Sequence, residues 1–216
     1  MKFSSVLFDF DGTLANTLPL TIYGMQKVFE KYDHRSLDKE GIVAMFGPTE
    51  DGMIKENFRY QENVPAAIEL YYQIYETEHA RFVKENTEIL DLLHFLQDKQ
   101  IPAGVITGKS RRAYILSEKA LGFEGLFQSV ITGDDVAHPK PDTEGILRTL
   151  QKFQAVKEES IYIGDSNTDI LAGKAAGVHT AGVHWLPVSQ SASFSVKPDF
   201  YWEKVDEFIA LLKSRS

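Results

Sequence analysis

The chain has 216 residues, 43% hydrophobic and 25% charged, which is long enough to bury a real core and excludes a disordered or fibrous class. Its net charge of −8 argues against non-specific nucleic-acid binding, and no apolar run approaches membrane-spanning length. The absence of cysteine removes disulfides, thiol nucleophiles and thiolate metal sites, and the N-terminus does not resemble a signal peptide, so a cytoplasmic location is the default expectation.

The first element is an apolar, β-favouring run over 3–14 that ends in Asp9, Asp11 and Gly12. In a strand, residues two apart share a face, so Asp9 and Asp11 are expected to point one way and Phe8 and Phe10 the other. Two carboxylates this close need a cation, a shared proton or water to relieve their repulsion. From 17 to 85 the apolar residues recur at helical spacing with no strand-like alternation. That is too long for a simple crossover between parallel strands, so 17–85 is assigned to an inserted helical cap, with 1–16 and 86–216 forming the core.

Beyond residue 86 strands and helices alternate: helix 88–99, strand 101–107, helix 110–121, strand 129–132, helix 143–153, strand 161–163, helix 168–176 and strand 178–183. A Ser-rich loop at 187–195 precedes an edge strand at 200–202 and a closing helix at 205–212. The fold class is therefore α/β, a doubly wound parallel sheet with an α-helical insertion. In such sheets the strand-to-helix loops gather at the carboxyl edge, where ligands bind.

Four loops then face one crevice: Asp9 and Asp11 after the first strand, Thr107-Gly108-Lys109-Ser110 after the second, Lys140 after the third, and Asp165 to Asp169 after the fourth. Each has an ordinary alternative as a cap or a solvated charge. Together they suit a phosphate monoester, whose oxygens and attacking carboxylate require cations and donors. Asp9 and Asp165 offer hard oxygen ligands for Mg²⁺. Asp9 is the candidate nucleophile, forming an aspartyl-phosphate, and Asp11 the candidate acid and base. The Thr107 hydroxyl, the backbone N–H groups near Gly108 and Lys109, and the ammonium of Lys140 fit the phosphate oxygens. Asp169 would hold Lys140 or a metal-bound water from behind, or simply favour the helix dipole.

The four motifs, Asp9-Phe10-Asp11-Gly12-Thr13-Leu14, Val105-Ile106-Thr107-Gly108, Lys140-Pro141 and Gly164-Asp165-Ser166-Asn167-Thr168-Asp169, resemble those of the haloacid dehalogenase superfamily. The likeness is to its phosphoglycolate phosphatase and β-phosphoglucomutase-like branch. It implies Mg²⁺ held by the side chains of Asp9 and Asp165 and the backbone carbonyl of Asp11. It also implies a cap that opens and closes through linkers at 14–17 and 81–85. Two positions depart from the branch: no second proline follows Pro141, and Asn16 stands where aspartate is common.

Substrate choice falls to the cap, where eight Lys and Arg stand against twelve Asp and Glu over 15–85. The turn 46–50 is the candidate specificity loop, or an ordinary helix connection, which adds Thr49 and Glu50 to Gly12, Thr107, Gly108, Lys109 and Lys140 as candidate substrate-binding residues. Tyr71, Tyr72 and Tyr75 either line a pocket or form cap core. Lys204, Lys213 and Arg215 are assigned to a solvated face of the terminal helix. The expected partner is a small phosphorylated metabolite, with no nucleic acid or membrane, and the expected state a monomer or weak homo-oligomer. The expected reaction is Mg²⁺-dependent hydrolysis of an organic phosphate, with a phosphosugar mutase or a pyrophosphatase as alternatives and a phospho-receiver module ranked last.

Overall fold

The computed structural model describes residues 3–214; Arg215 and the first two residues lie outside the described residues. Six parallel strands form one sheet in the order β3-β2-β1-β4-β5-β6: β1 Ser5–Phe8, β2 Ala103–Ile106, β3 Ser129–Ile131, β4 Ser160–Gly164, β5 His179–Val183 and β6 Phe200–Trp202. The α/β class expected from the alternation is the one observed. β1 lies between β2 and β4, with Val6 beside Ala103 on one side and Ile161 on the other. The chain builds outward from β1 in one direction and then in the other, so a crevice opens at the carboxyl ends of β1 and β4.

The central strands are apolar on both faces because helices cover both. Val6 and Phe8 enter one cluster with Ile89 and Leu92 of α5 (Thr87–Asp98) and Phe208 of α9 (Val205–Lys213). Leu7 points to the opposite face, with Ile146 and Leu150 of α7 (Glu144–Phe153) and Ala172 of α8 (Asn167–Ala176). The strand alternation does not reach Asp11. β1 ends at Phe8, and Asp11 already belongs to a tight turn in which the Gly12 N–H donates to the Ala15 carbonyl at 2.8 Å.

Between β1 and α5 the chain forms α1 (Leu18–Tyr32), α2 (Lys39–Val43), α3 (Glu50–Asn57) and α4 (Val64–Phe82). α1 and α4 start with proline in the first turn, where a missing N–H is harmless. Leu20, Met25, Val28 and Phe29 of α1 meet Tyr71 and Tyr75 of α4 and Met53 and Ile54 of α3 in a continuous core. Asp33, buried where α1 ends, accepts from the Arg59 N–H at 2.6 Å and from Arg35 Nε at 2.5 Å, which pins the link after α3. Burial opposes its charge, yet these donors prevail and hold its carboxyl below the usual range.

This helical layer rests on α6 (Arg111–Ala120). Tyr72 donates to Asp51 at 2.6 Å and lies 2.8 Å from Ser110 Oγ, while Tyr75 and His79 share Ser117 Oγ at 2.8 and 3.0 Å. Tyr71, Tyr72 and Tyr75 are thus buried structural residues, and the hydroxyls of Tyr72 and Tyr75 form the seam between the helical layer and α6. Among the described residues no helix is long and apolar enough to cross a membrane.

Candidate active site

Asp9 follows β1 directly and is nearly inaccessible to solvent. Its Oδ1 accepts from Lys140 Nζ at 2.6 Å, and the same ammonium donates to Asp169 Oδ1 at 2.7 Å. Asp169 sits in the first turn of α8, where it closes a capping box with Ser166 and also accepts from the Tyr162 hydroxyl at 2.9 Å. Both its oxygens are therefore engaged by the protein. Asp165 completes the group: ligand atoms of Asp9, Asp165 and Asp169 all lie within 4.8 Å of one another.

Three buried carboxylates against one lysine leave two uncompensated negative charges. Asp165 Oδ2 accepts from the Gln190 N–H at 2.5 Å, but Asp165 Oδ1 is buried with no hydrogen-bond partner. A buried carboxylate oxygen in that state calls for a cation or a proton. Burial pushes the Asp9 carboxyl up to about 7, against the pull of Lys140 and with help from Asp169 and Asp11. Asp165 is raised as well, by burial first and then by Asp9 and Asp169. A hard divalent cation fits the donor set, the charge deficit and the orphaned oxygen together. Gly12 gives this arrangement room: its φ is +81°, and a Cβ there would meet Asp165 Oδ2 at 2.1 Å. Its place is one of steric clearance, apart from the lining of the cavity.

Asp11 is held by different partners. Its Oδ1 accepts from Lys109 Nζ at 2.9 Å and from the hydroxyl of Thr17, the residue before α1. Thr17 makes no side-chain cap of its own helix. Lys109 is the larger departure from expectation. Its backbone N–H donates to Thr107 Oγ1 at 3.1 Å, and its buried side chain bridges Asp11 and Glu50, each at 2.9 Å. Burial opposes the Lys109 charge, but Asp11 and Glu50 outweigh it and lift its pKa well above the usual lysine value. Thr107, accepting from Lys109, keeps its own hydroxyl proton for another acceptor.

A cavity of about 140 Å³ opens over these groups, lined by Asp9, Asp11, Thr107, Gly108, Lys109 and Lys140 from the sheet edge. Leu18, Phe46, Gly47, Pro48, Glu50 and Met53 close it from the helical layer. Gly47 turns the 46–50 segment with φ of +146°. Thr49 is not in the lining: it caps α3, accepting from the Gly52 N–H at 3.3 Å, and its methyl faces Gly133. Sequence reasoning missed Thr17, Gln190 and the side-chain role of Lys109. The first two carried no signal, since a Thr before a helix and a Gln in a Ser-rich loop are commonplace.

Residues 6–183 match the haloacid dehalogenase-like hydrolase family. The chain is 34% identical over 214 residues to "Pyrophosphatase PpaX" of Anoxybacillus flavithermus, covering 98% of both chains. Its fold matches a predicted phosphoglycolate phosphatase of Haemophilus somnus with a TM-score of 0.81, at 19% identity and 98% coverage of each chain. It also matches CbbY of Rhodobacter sphaeroides in complex with phosphate, with a TM-score of 0.83 at 20% identity, over 98% of this chain and 99% of that one. With the family match spanning most of the chain and a full-length relative above 30% identity, this protein belongs to the haloacid dehalogenase-like hydrolases.

Proposed function

We propose that the protein is a Mg²⁺-dependent phosphatase that hydrolyses a small organic phosphate monoester through an aspartyl-phosphate on Asp9. The observation that carries this reading is the Asp9 carboxyl itself. It faces the cavity, with Lys140 beside it and the Thr107 hydroxyl in the same lining, and it shares one lysine with two further buried carboxylates, Asp165 and Asp169. The side chains of Asp9 and Asp165 and the backbone carbonyl of Asp11 would hold the ion. Bound there, it supplies positive charge to the phosphate oxygens and favours an ionised Asp9.

The chain's own groups account for the remaining chemistry. One Asp9 oxygen attacks phosphorus in line, and the bond from phosphorus to the leaving oxygen breaks as Asp11 delivers a proton to that oxygen. Water then attacks the acyl phosphate, Asp11 takes its proton, and inorganic phosphate leaves with Asp9 restored. Lys140 and the Thr107 hydroxyl oppose charge on the peripheral oxygens. Asp169 holds Lys140 in place through the 2.7 Å contact. Lys109 and Thr17 fix Asp11 on the leaving-group side of the cavity. The helical layer 18–82 acts as the cap, and in the closed arrangement it shields the acyl phosphate from bulk water.

Pyrophosphate is the second reading, favoured by the name of the relative at 34% identity. A panel of pyrophosphate, phosphoglycolate, hexose phosphates and nucleoside monophosphates, with Mg²⁺ or with chelator, tests both. Phosphate release should require the metal and disappear in Asp9→Asn, falling by at least about 10³-fold. Turnover that persists in Asp9→Asn or survives chelation rejects the mechanism.

A further inference from the structure

Two cations line the cavity among the described residues, Lys140 and Lys109. Lys140 belongs to Asp9 and Asp169, on the side where phosphorus would be attacked. Lys109 pairs instead with Asp11, the proton donor to the leaving oxygen, so it is the group that a charged leaving group would meet. The cap places Glu50 there. Glu50 opens α3, is buried, and sets Oε1 2.9 Å from Lys109 Nζ while Oε2 accepts from the Ser110 N–H at 2.7 Å. Ser110 is the N-cap of the ten-residue α6. Ammonium and helix-start N–H are the two features that would receive a second anion, and one carboxylate already uses both.

Resting on the phosphatase reading above, we propose that Glu50 is the specificity-determining residue of this site: by pairing with Lys109 and the start of α6 it excludes a leaving group that carries negative charge, and it selects monophosphate esters of small uncharged alcohols. With Asp11 protonated to serve the leaving oxygen, Glu50 and Lys109 cancel, so the leaving-group side offers no free positive charge. A departing phosphate, from pyrophosphate or from a sugar bisphosphate, finds no free counter-charge there. Leu18, Phe46, Pro48 and Met53 supply the rest of that wall and suit a neutral carbon skeleton. Glu50 acts by occupying Lys109 and the start of α6, so its substitution should change which substrate is chosen more than how fast the preferred one reacts.

The test compares pyrophosphate with glycerol phosphate, whose leaving alcohol is uncharged. The wild type should favour glycerol phosphate in kcat/KM. Glu50→Gln, which keeps the length of the side chain, and Glu50→Ala should each shift the ratio toward pyrophosphate by about 10-fold or more. Dissociation constants for both compounds in an Asp9→Asn background give a second readout that needs no turnover, with the same expected shift on adding Glu50→Gln. A wild type that prefers pyrophosphate, or Glu50 variants that scale both substrates alike, overturns the assignment. Failure of every phosphate to turn over would overturn the phosphatase reading alone, because the ratio of dissociation constants still decides the role of Glu50.

Discussion

Asp9 and Asp11 carry the same side chain two residues apart, yet their neighbours give them different chemistry. Asp9 is buried against Lys140, Asp165 and Asp169, and its carboxyl titrates near 7 in the absence of a cation. A ligand carboxylate must lose its proton to bind metal, so Mg²⁺ affinity should weaken as pH falls through about 7. Calorimetric titration at pH 6 and pH 8 checks this, and equal affinities at the two values would contradict it. Asp11, held by Lys109 and Thr17, should be separable from the metal. Asp11→Asn is expected to bind Mg²⁺ as the wild type does and to lose about 10²–10⁴-fold in turnover. Normal rates would remove Asp11 from the proton transfers.

At the scale of elements, the helical layer is fastened to the α/β core by a polar seam along α4 and α6. His79 sits in that seam, against Ser117, with its imidazole pushed down to about 4 by burial and by the charge of Lys109. A histidine whose folded pKa lies below its unfolded value of about 6.5 adds stability that is complete above that value. The contribution is lost as pH falls from about 6.5 toward 4. The melting temperature of the wild type should therefore drop more between pH 7 and pH 5 than that of His79→Gln, and parallel declines would exclude the role. The seam also marks where sequence legibility stops. The core strands, the four strand-end loops and the helical insertion were readable because period-2 and period-3.6 patterns and short motifs are local. The bridge from Asp11 through Lys109 to Glu50 joins partners 98 and 59 positions apart on three separate segments, and nothing in local spacing encodes it. The side-chain bridge of Lys109 and the place of Thr49 at the start of α3, outside the cavity lining, are hidden in the sequence for the same reason. A helix cap and a loop lysine look alike in sequence whichever partner the fold brings to them.

For the molecule as a whole, the carboxyl ends of the central strands that make the site also bury charge at a cost. Asp9, Asp165 and Asp169 are buried with Lys140 as their shared cation, and the unpartnered Asp165 Oδ1 adds the cost of an unsatisfied polar atom. The fold tolerates this because β1 and β4 are locked in register at the centre of the sheet, far from either edge. Without a cation, then, the site should lower stability, and with one it should raise it by mass action. Asp165→Asn tests both signs in one protein. The amide keeps an acceptor for the Gln190 N–H while removing one buried charge, so the metal-free variant should melt higher than the metal-free wild type. About 1 kcal/mol, or roughly 2–4 °C in a chain of this size, is the expected gain. Added Mg²⁺ should raise the wild-type melting temperature in proportion to the logarithm of its concentration and leave the variant nearly unmoved. If the metal-free variant melts lower, or if Mg²⁺ stabilises both proteins equally, Asp165 is not where charge is stored against the fold.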